Sequence, residues 1–378
     1  MKIERFIQRI SDLGVDCYTG VPDSQLSSLC DYLLEEFGLG NQKHIVAANE
    51  GGAVALAAGH YLATGHPALV YLQNSGIGNI INPVCSLIHS EVYAIPVVFV
   101  VGWRGQPQTK DEPQHVFQGK VTRELLKCVE IDNVVIAAET SDEEFEAMLA
   151  ECSEHLKAQR PFAFVVSKGA FEEYKKKKAH RDYPLSREQA VKIVTDFDEG
   201  NSFYVSTTGK LSRELFEVRK RNGQAHEKDF LTVGSMGHSI MIALGIASAH
   251  PQRQIFCLDG DGAAIMHMGS AAIAASSGSK NLVHLVFNNS AHESVGGIPT
   301  VGEKLDFVAL ARAMGYKTAC RAEDEESLKQ ALREATVGTG PHFIEVVINL
   351  EVRKDLGRPT TPPLENRDAF MKQLQTRE

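Results

Sequence analysis

Short apolar runs of strand length alternate with helical stretches along the whole chain, and this alternation limits the fold more than any other feature. The runs are rich in Val, Ile and Phe, as expected of buried parallel strands. Strands that alternate with helices predict α/β domains in which helices cover both faces of a parallel sheet. The candidate strands lie at residues 17–21, 44–49, 68–74, 97–102, 128–132 and 162–167, then at 203–209, 230–234, 254–260, 282–289 and 342–348.

A charged stretch separates two halves of comparable length. Residues 171–188, FEEYKKKKAHRDYPLSRE, lack the apolar periodicity found on either side, which is typical of a linker or an exposed helix end. We interpret Lys175 to Lys178 within it as a solvated charged face. The pattern predicts a doubly wound domain over residues 1–175, a linker over 176–188 and a second doubly wound domain over 189–378.

Composition and charge exclude several classes of protein. The net charge of −9 argues against a general nucleic-acid surface. No apolar run approaches the ~20 residues of a membrane span, and the charged start, MKIERFIQRISDLGV, predicts an amphipathic helix rather than a signal peptide. The seven cysteines are scattered and lack CxxC spacing, which favours reduced thiols. We therefore expect a cytoplasmic protein that binds neither nucleic acid nor membrane.

Two polar turns follow candidate strands of the second half. Gly260, Asp261 and Gly262 follow one strand, and the next ends in Asn288 and Asn289, 28 residues after the aspartate. Asp-Gly alone is ordinary turn chemistry. Glycines let the backbone approach a charged group, and the helix that follows could face an anion. Carboxylate and amide oxygens suit Mg²⁺, which often also binds phosphate oxygens. The spaced pair therefore predicts a site for a metal and a phosphate group.

The spaced pair resembles the metal and diphosphate motif of thiamine diphosphate enzymes, which begins with GDG and ends in NN. The resemblance implies that Mg²⁺ is bound by Asp261, Asn289 and the backbone carbonyl of Ala291, with Asn288 as the alternative ligand. Such enzymes use one α/β domain for the aminopyrimidine and one for the diphosphate, and this chain has no room for the middle domain of many decarboxylases. The diphosphate would lie against Gly260, Gly262 and Ala263.

The same resemblance implies further cofactor contacts in both halves. Glu50, between a strand and a helix, occupies the position of the glutamate that hydrogen-bonds the aminopyrimidine, although an acid in a first helical turn is also favourable by itself. Met236 would lie under the cofactor and hold it bent, although a single methionine is more often part of a core. The remaining expected contacts are Asn74, Ser75, Gly76, Thr207, Thr208, Gly234 and Ser235.

Acid–base and substrate-binding residues are expected beside the cofactor. Asp23 lies near the position of a catalytic aspartate in pyruvate-type decarboxylases, and His115 lies where those enzymes carry a histidine pair. The glutamate that follows the metal-binding asparagine in the family is replaced by Val295, so His292 and Glu293 are candidate substitutes. Arg104 and Lys210, on loops after predicted strands, are the expected ligands of an anionic substrate group.

The motifs GVPDSQL, QNSGIGNIINP, DEPQH and GRPTTPP extend the likeness along the chain. They resemble the phosphonopyruvate decarboxylases of the thiamine diphosphate family, with the sulfopyruvate decarboxylases as near relatives. The resemblance implies a carboxy-lyase for a 2-oxo acid with a second anionic group. It also implies a homodimer or larger homo-oligomer in which Glu50 and Asp261 of one site come from different chains. A related 2-oxo acid decarboxylase or carboligase is the other alternative.

Overall fold

The computed structural model describes residues 1–174, 181–197 and 202–376. The chain divides into two compact units, Met1–Lys178 and Ala179–Glu378. The division falls within residues 175–180, which include Lys175 to Lys178 and lie outside the described residues. The predicted domain boundaries and linker therefore stay predictions.

The first unit is built on a six-stranded parallel sheet. Its strands are β1 (Cys17–Gly20), β2 (His44–Val46), β3 (Ala68–Gln73), β4 (Val97–Gly102), β5 (Asp132–Ile136) and β6 (Phe162–Val166). They lie in the order β2-β1-β3-β4-β6-β5. The helices are α1 (Ile3–Ser11), α2 (Ser27–Phe37), α3 (Glu50–Thr64), α4 (Ile77–Pro83), α5 (Pro113–Cys128) and α6 (Asp142–Lys157).

The second unit repeats this plan. Its strands are β7 (Phe203–Ser206), β8 (Asp229–Leu231), β9 (Ile255–Gly260), β10 (Leu282–Asn288), β11 (Ala291–His292), β12 (Ile298–Pro299), β13 (Thr318–Ala322) and β14 (His342–Val347). The main sheet is parallel, in the order β13-β14-β10-β9-β7-β8, and β11 pairs with β12 in a small antiparallel ribbon. The helices are α7 (Arg187–Phe197), α8 (Lys210–Arg221), α9 (Ser239–Ala249), α10 (Asp261–Met266), α11 (Gly269–Ser276), α12 (Phe307–Met314), α13 (Glu325–Val337) and α14 (Pro363–Gln375).

Both sheets are buried on their two faces, which explains the continuous apolar strands of the sequence. Every residue of β4, β6 and β10 is buried, because helices cover both sides of a parallel sheet. The predicted fold class, two doubly wound α/β units without a middle domain, is confirmed. Within the described ranges, no helix combines the length and apolar character that crossing a membrane requires.

Each sheet has a point where successive connections turn to opposite sides. β1 lies between β2 and β3, and β7 lies between β8 and β9. Ligands of open α/β sheets bind outside the carboxyl ends of the strands at such points. The sequence after β1 contains Asp23, and β9 leads directly into Asp261. The topology therefore places predicted site residues where this fold ordinarily binds ligands.

Two strand predictions need correction. The strand expected at 128–132 is wrong, because α5 continues to Cys128 and β5 begins only at Asp132. Polar residues at the start of β5 interrupt its apolar pattern, so the sequence predicted the strand a few residues too early. The edge strand β13, TACRA, was not predicted, since two of its five residues are exposed and it lacks an apolar run.

Candidate active site

Asp261 provides a buried carboxylate at the carboxyl end of β9. It is 2% exposed, and it accepts hydrogen bonds from the Thr300 hydroxyl and from the backbone N–H groups of Gly262 and Asn289. Burial nevertheless raises its pKa to about 6, because the low-dielectric interior penalises the charged form. A cation beside this oxygen would offset that penalty. The site fits the metal role proposed for Asp261, and it brings Asp261 and Asn289 together as the sequence predicts.

The two asparagines after β10 have different surroundings. The Oδ1 atom of Asn288 accepts hydrogen bonds from the Ser290 N–H and hydroxyl, each at 3.0 Å, and its Nδ2 donates to Glu345 at 2.8 Å and to the Gly302 carbonyl at 3.2 Å. These bonds use the full capacity of that amide. The Oδ1 atom of Asn289 accepts one bond, from the Ala291 N–H at 3.0 Å. A lone pair therefore remains on Asn289, which supports Asn289 rather than Asn288 as the metal ligand.

Ala291 is placed so that its carbonyl can take part in the same site. It lies in β11 opposite Pro299 of β12, and proline has no N–H to donate. The Ala291 carbonyl therefore receives no hydrogen bond from the residue paired with it. Together with the Asp261 and Asn289 oxygens, it would provide the hard oxygen donors that Mg²⁺ prefers.

Because the pKa of Asp261 is raised, metal binding by this proposed ligand is expected to depend on pH. A carboxyl whose folded pKa is raised contributes stability that is full below about pH 3.8, the unfolded value, and is lost as pH rises through about 6. Metal binding needs the anion and competes with that proton. We expect Mg²⁺ with thiamine diphosphate to raise the melting temperature more at pH 7 than at pH 5. Differential scanning fluorimetry at both pH values would measure this, and an equal rise at both would contradict the expectation.

The GDG turn packs closely against neighbouring side chains, and only a glycine fits at position 262 without displacing them. A Cβ atom at Gly262 would lie 2.9 Å from the His292 ring and 3.5 Å from Met236 Cε. Met236 and His292 therefore meet at this glycine, as expected for a group of residues around one ligand. Burial lowers the pKa of His292 to about 4, so that its imidazole is neutral at pH 7. Gly234 and Ser235 precede Met236 in the loop between β8 and α9.

Thr207, at the end of β7, carries a buried polar group without a partner. It is 5% exposed, and its hydroxyl makes no hydrogen bond within the described part of the chain. Unpaired buried hydroxyls are costly, and an anion such as a phosphate would satisfy this one. Thr208 and Gly209 follow it into α8, and Gly209 adopts a left-handed φ of 94°. This geometry supports the proposed diphosphate contact.

Lys210 is already engaged in an ion-pair network. Its Nζ binds Glu293, which also contacts Arg187 at 3.1 Å, and Arg187 binds Glu214 at 2.6 Å. Two positive and two negative side chains balance one another here. A substrate anion would have to displace Glu293 to reach Lys210, so its substrate-binding role stays a prediction without geometric support. Glu293 is equally committed as a substitute for the glutamate missing from the family pattern.

Glu50 is the first residue of α3 and lies at the carboxyl edge of the first sheet. The Asn49 side chain caps the helix by accepting a hydrogen bond from the Gly52 N–H at 2.8 Å. Glu50 itself is 5% exposed, and burial raises its pKa above the usual range even though the Asn79 amide donates to Oε2 at 2.6 Å. A first-turn acid that only favoured the helix dipole would lie in water. The Glu50 carboxyl is buried, and its Oε1 atom does not bind Asn79. Both features support a catalytic role.

Gly76 makes room for the Glu50 carboxyl. A Cβ atom at this position would lie 2.5 Å from Glu50 Cδ and closer still to Oε1. We expect Gly76→Ala to displace the carboxyl and to lower turnover by about 10- to 100-fold, a part of the loss that general acid–base groups contribute. Gly78→Ala is the matched control, because its Cβ would meet nothing within 4 Å. Steady-state kinetics and melting temperatures of both variants measure this, and equal activities would show that Gly76 does not position Glu50.

Asp23 is fully buried between two neighbours that its sequence does not reveal. Gln73 donates a hydrogen bond to Oδ1 at 2.6 Å, and a side chain at Gly102 would overlap Oδ2. Burial raises the pKa of Asp23 above its usual range. The carboxyl is thus suited to hold a proton at a higher pH than an exposed aspartate. This supports its expected acid–base role.

Arg104 lies near Asp23 on the loop after β4, and His115 lies in the helix that follows this loop. The Arg104 guanidinium binds Asp111 in bidentate fashion at 2.8 and 2.6 Å, so its charge is neutralised within the unit. His115, in the first turn of α5, is 8% exposed, and burial lowers its pKa. The helix N-terminus also disfavours a charged ring. His115 is therefore neutral at pH 7, and an anionic substrate would be needed to favour its protonated form.

Two expected cofactor contacts, Asn74 and Ser75, also have hydrogen-bond partners within the first unit, and their cofactor role stays a prediction. The Asn74 amide donates to the Arg104 carbonyl at 2.8 Å and to Thr122 at 2.9 Å, and the Ser75 hydroxyl donates to Gln73 at 2.7 Å. These bonds hold the Arg104 loop against the turn after β3. The sequence did not predict four residues that support the proposed site: Asn79, Gln73, Gly102 and Thr300. Two of them could have been found, since Asn79 and Gln73 lie in the polar segment QNSGIGN.

Comparisons with known proteins match both units. Residues 3–126 match the model "Thiamine pyrophosphate enzyme, N-terminal TPP binding domain", and residues 207–346 match "Thiamine pyrophosphate enzyme, C-terminal TPP binding domain". Thiamine pyrophosphate is another name for thiamine diphosphate. The two matches fall in the two compact units separately.

Curated relatives cover nearly the whole chain. A phosphonopyruvate decarboxylase of Streptomyces viridochromogenes is 32% identical over 94% of this chain and 90% of its own length. A phosphonopyruvate decarboxylase of Streptomyces hygroscopicus is 33% identical over the same shares. The alpha subunit of sulfopyruvate decarboxylase from Methanococcus maripaludis is 32% identical over 40% of this chain and 84% of the subunit. The chain therefore belongs to the thiamine pyrophosphate enzyme family.

Proposed function

We propose that this protein is a carbon–carbon lyase that converts phosphonopyruvate into phosphonoacetaldehyde and CO₂ with thiamine diphosphate and Mg²⁺, a reaction suited to phosphonate biosynthesis. The observation that carries the proposal is the similarity to two phosphonopyruvate decarboxylases over nine tenths of both chains. Buried carboxyl groups in both units support the cofactor assignment. Asp261, Asn289 and the Ala291 carbonyl would hold the metal, and Glu50 would contact the aminopyrimidine.

When bound, thiamine diphosphate supplies a nucleophilic carbon and accepts the electron pair released as CO₂ leaves. The chain itself must provide acid–base groups. Glu50 would exchange a proton with the aminopyrimidine, because its buried carboxyl has a raised pKa. The former keto carbon gains one proton for each CO₂ released. Asp23 and His115 are the candidate donors, and Asp23 is the better placed to hold a proton, since its pKa is raised whereas that of His115 is lowered.

Arg104 and Lys210 are the proposed ligands of the phosphonate group. Both are on loops or helix ends that follow strands, but both are paired with carboxylates, Asp111 and Glu293. A dianionic phosphonate would compete with these carboxylates for the cations. Arg104 is the stronger candidate, because its planar guanidinium can bind two phosphonate oxygens at once.

A product assay tests this function. Phosphonopyruvate is supplied to the full chain with and without thiamine diphosphate and Mg²⁺, and CO₂ and phosphonoacetaldehyde are measured separately. We expect both products in equal amounts, and only when both cofactors are present. Tight cofactor binding without CO₂ release from any 2-oxo acid would instead indicate a non-catalytic binding protein.

Sulfopyruvate decarboxylation is the second candidate function, and the similarity to the Methanococcus maripaludis subunit favours it. Phosphonate carries a larger negative charge than sulfonate at pH 7, so a cationic pocket should favour phosphonopyruvate. Both substrates should be offered to one sample in competition. A higher kcat/KM for sulfopyruvate would reverse the assignment. Carbon–carbon bond formation with an added aldehyde would indicate a carboligase.

We infer that the working enzyme is a homodimer or a larger homo-oligomer in which Glu50 and Asp261 of each site come from different copies. The family resemblance supports this arrangement. Mixing the inactive variants Glu50→Gln and Asp261→Asn tests it, because half of randomly formed dimers would be mixed and each mixed dimer would contain one intact site. We expect recovery of about a quarter of the wild-type rate after subunit exchange. Failure to recover activity, although mass analysis shows mixed dimers, would contradict shared sites.

A further inference from the structure

Three buried side chains of types that can bind a metal form a cluster in the second unit, separate from the oxygens around Asp261. Cys257 and Asp259 lie on β9, and His284 lies on the neighbouring strand β10. His284 is paired with Cys257, and Val286 with Asp259, so the three side chains share one face of the sheet. Each is at most 1% exposed. The sequence did not predict this cluster, because the spacing of its three residues matches no known metal-binding motif.

Two atoms of this cluster face each other without a hydrogen bond. Oδ2 of Asp259 and Nε2 of His284 are 3.6 Å apart, beyond the range of a hydrogen bond. Neither atom has another partner in the described part of the chain. Buried polar atoms are almost always paired, because leaving them unsatisfied costs about 1–3 kcal/mol each. Two unpaired atoms 3.6 Å apart would both be satisfied by one cation bound between them.

We propose that Cys257, Asp259 and His284 form a buried site for a zinc-type transition metal ion. Zinc lies about 2.0–2.2 Å from nitrogen and oxygen ligands, which places two tetrahedral ligands about 3.3–3.5 Å apart. The 3.6 Å separation of Oδ2 and Nε2 agrees with this geometry. The Cys257 sulfur is the third proposed ligand, and the three ligand atoms lie within 4.8 Å of one another.

Charge and ligand type favour the same ion. A divalent cation forms a complex without net charge when its ligands are one thiolate, one carboxylate and one neutral imidazole. Such a neutral complex suits a fully buried position. Sulfur and nitrogen ligands select zinc-type ions, whereas Mg²⁺ requires oxygens. The cluster therefore complements the Asp261 site rather than duplicating it.

The outer partners of the ligands also fit. The Tyr316 hydroxyl lies 2.9 Å from Nδ1 of His284, which orients the ring and leaves Nε2 for the metal. The Gly260 N–H donates to Oδ1 of Asp259 at 3.0 Å. Such second contacts are regular features of protein metal sites. Because Gly260 precedes Asp261, an ion here would also fasten the turn that presents Asp261, which gives the site a positioning role.

Metal analysis of the full-length protein tests the proposal. The chain would be produced in zinc-supplemented medium, freed of loosely bound ions, and analysed by mass spectrometry for metals. We expect about one zinc per chain in the wild type and in Asp261→Asn, which lacks the Mg²⁺ carboxylate. Cys257→Ser and His284→Gln should each lose at least nine tenths of the zinc. Cys152→Ser, a change at a buried cysteine of the first unit, is the matched control and should retain it.

Cobalt substitution keeps the test decisive if a variant fails to fold. Wild-type protein produced with Co²⁺ should show a thiolate-to-cobalt absorption band and the visible bands of a tetrahedral ion. A wild-type chain free of zinc and without these bands would overturn the proposal, and would leave Asp259 and His284 as a buried ion pair. Zinc retained by folded Cys257→Ser and His284→Gln would overturn it as well. Neither result depends on decarboxylase activity.

Discussion

Glu50→Gln should lower turnover by about 100- to 10,000-fold, the range that a positioned general acid–base group contributes. This corresponds to roughly 3 to 5 kcal/mol of transition-state stabilisation. Glutamine has nearly the same shape as glutamate and can still accept a hydrogen bond from Asn79, which lies 2.6 Å from Oε2. It cannot exchange a proton. Binding of Mg²⁺ should therefore change little, because the proposed metal ligands belong to the second unit.

Stability distinguishes this catalytic effect from misfolding. Burial raises the pKa of Glu50, so the anion destabilises the fold as pH rises through the folded pKa, and a neutral glutamine removes that cost. The melting temperature of Glu50→Gln at pH 7 should equal or exceed that of the wild type. Exposed Glu36→Gln on α2 is the control and should leave both kinetics and stability unchanged. Near-normal turnover in Glu50→Gln would remove Glu50 from the mechanism.

Asp261→Asn should nearly abolish activity by preventing metal-dependent cofactor binding. A neutral amide cannot balance the charge of Mg²⁺, and Asp261 is the proposed anionic ligand. We expect the affinity for Mg²⁺ in the presence of thiamine diphosphate to fall by more than about 100-fold, beyond the losses typical of outer contacts to a metal ligand. Isothermal titration calorimetry measures this directly. Unchanged affinity would exclude Asp261 from the metal site.

The neighbouring asparagines provide an internal check on this second result. Asn289→Ala should weaken Mg²⁺ binding, because it removes the Oδ1 atom whose free lone pair is the proposed metal contact. Asn288→Ala should mainly lower the melting temperature, since the Asn288 amide holds Glu345 and Gly302 in a buried network. The opposite pattern would assign the metal to Asn288.

The sequence predicted those proposed catalytic residues that lie at the ends of strands. Glu50 and Asp261 follow apolar strands, and parallel strands necessarily present their carboxyl ends at one edge. The sequence did not predict how the two proposed substrate-binding cations are paired. Arg104 lies on the expected loop and Lys210 begins α8. The carboxylates that bind them, Asp111 and Glu293, share no sequence motif with them, so the sequence did not predict these ion pairs.

The sequence alone determined the class of fold, two doubly wound units, because an apolar strand period and short polar turns leave few other ways to bury the side chains. It also determined which strand ends carry polar chemistry. Only the tertiary structure decided which polar atoms are satisfied. Asn288 and Asn289 are adjacent and chemically identical, yet one is fully hydrogen-bonded and the other is not. Hydrogen bonding and desolvation depend on residues brought together from distant strands, and no local pattern encodes them.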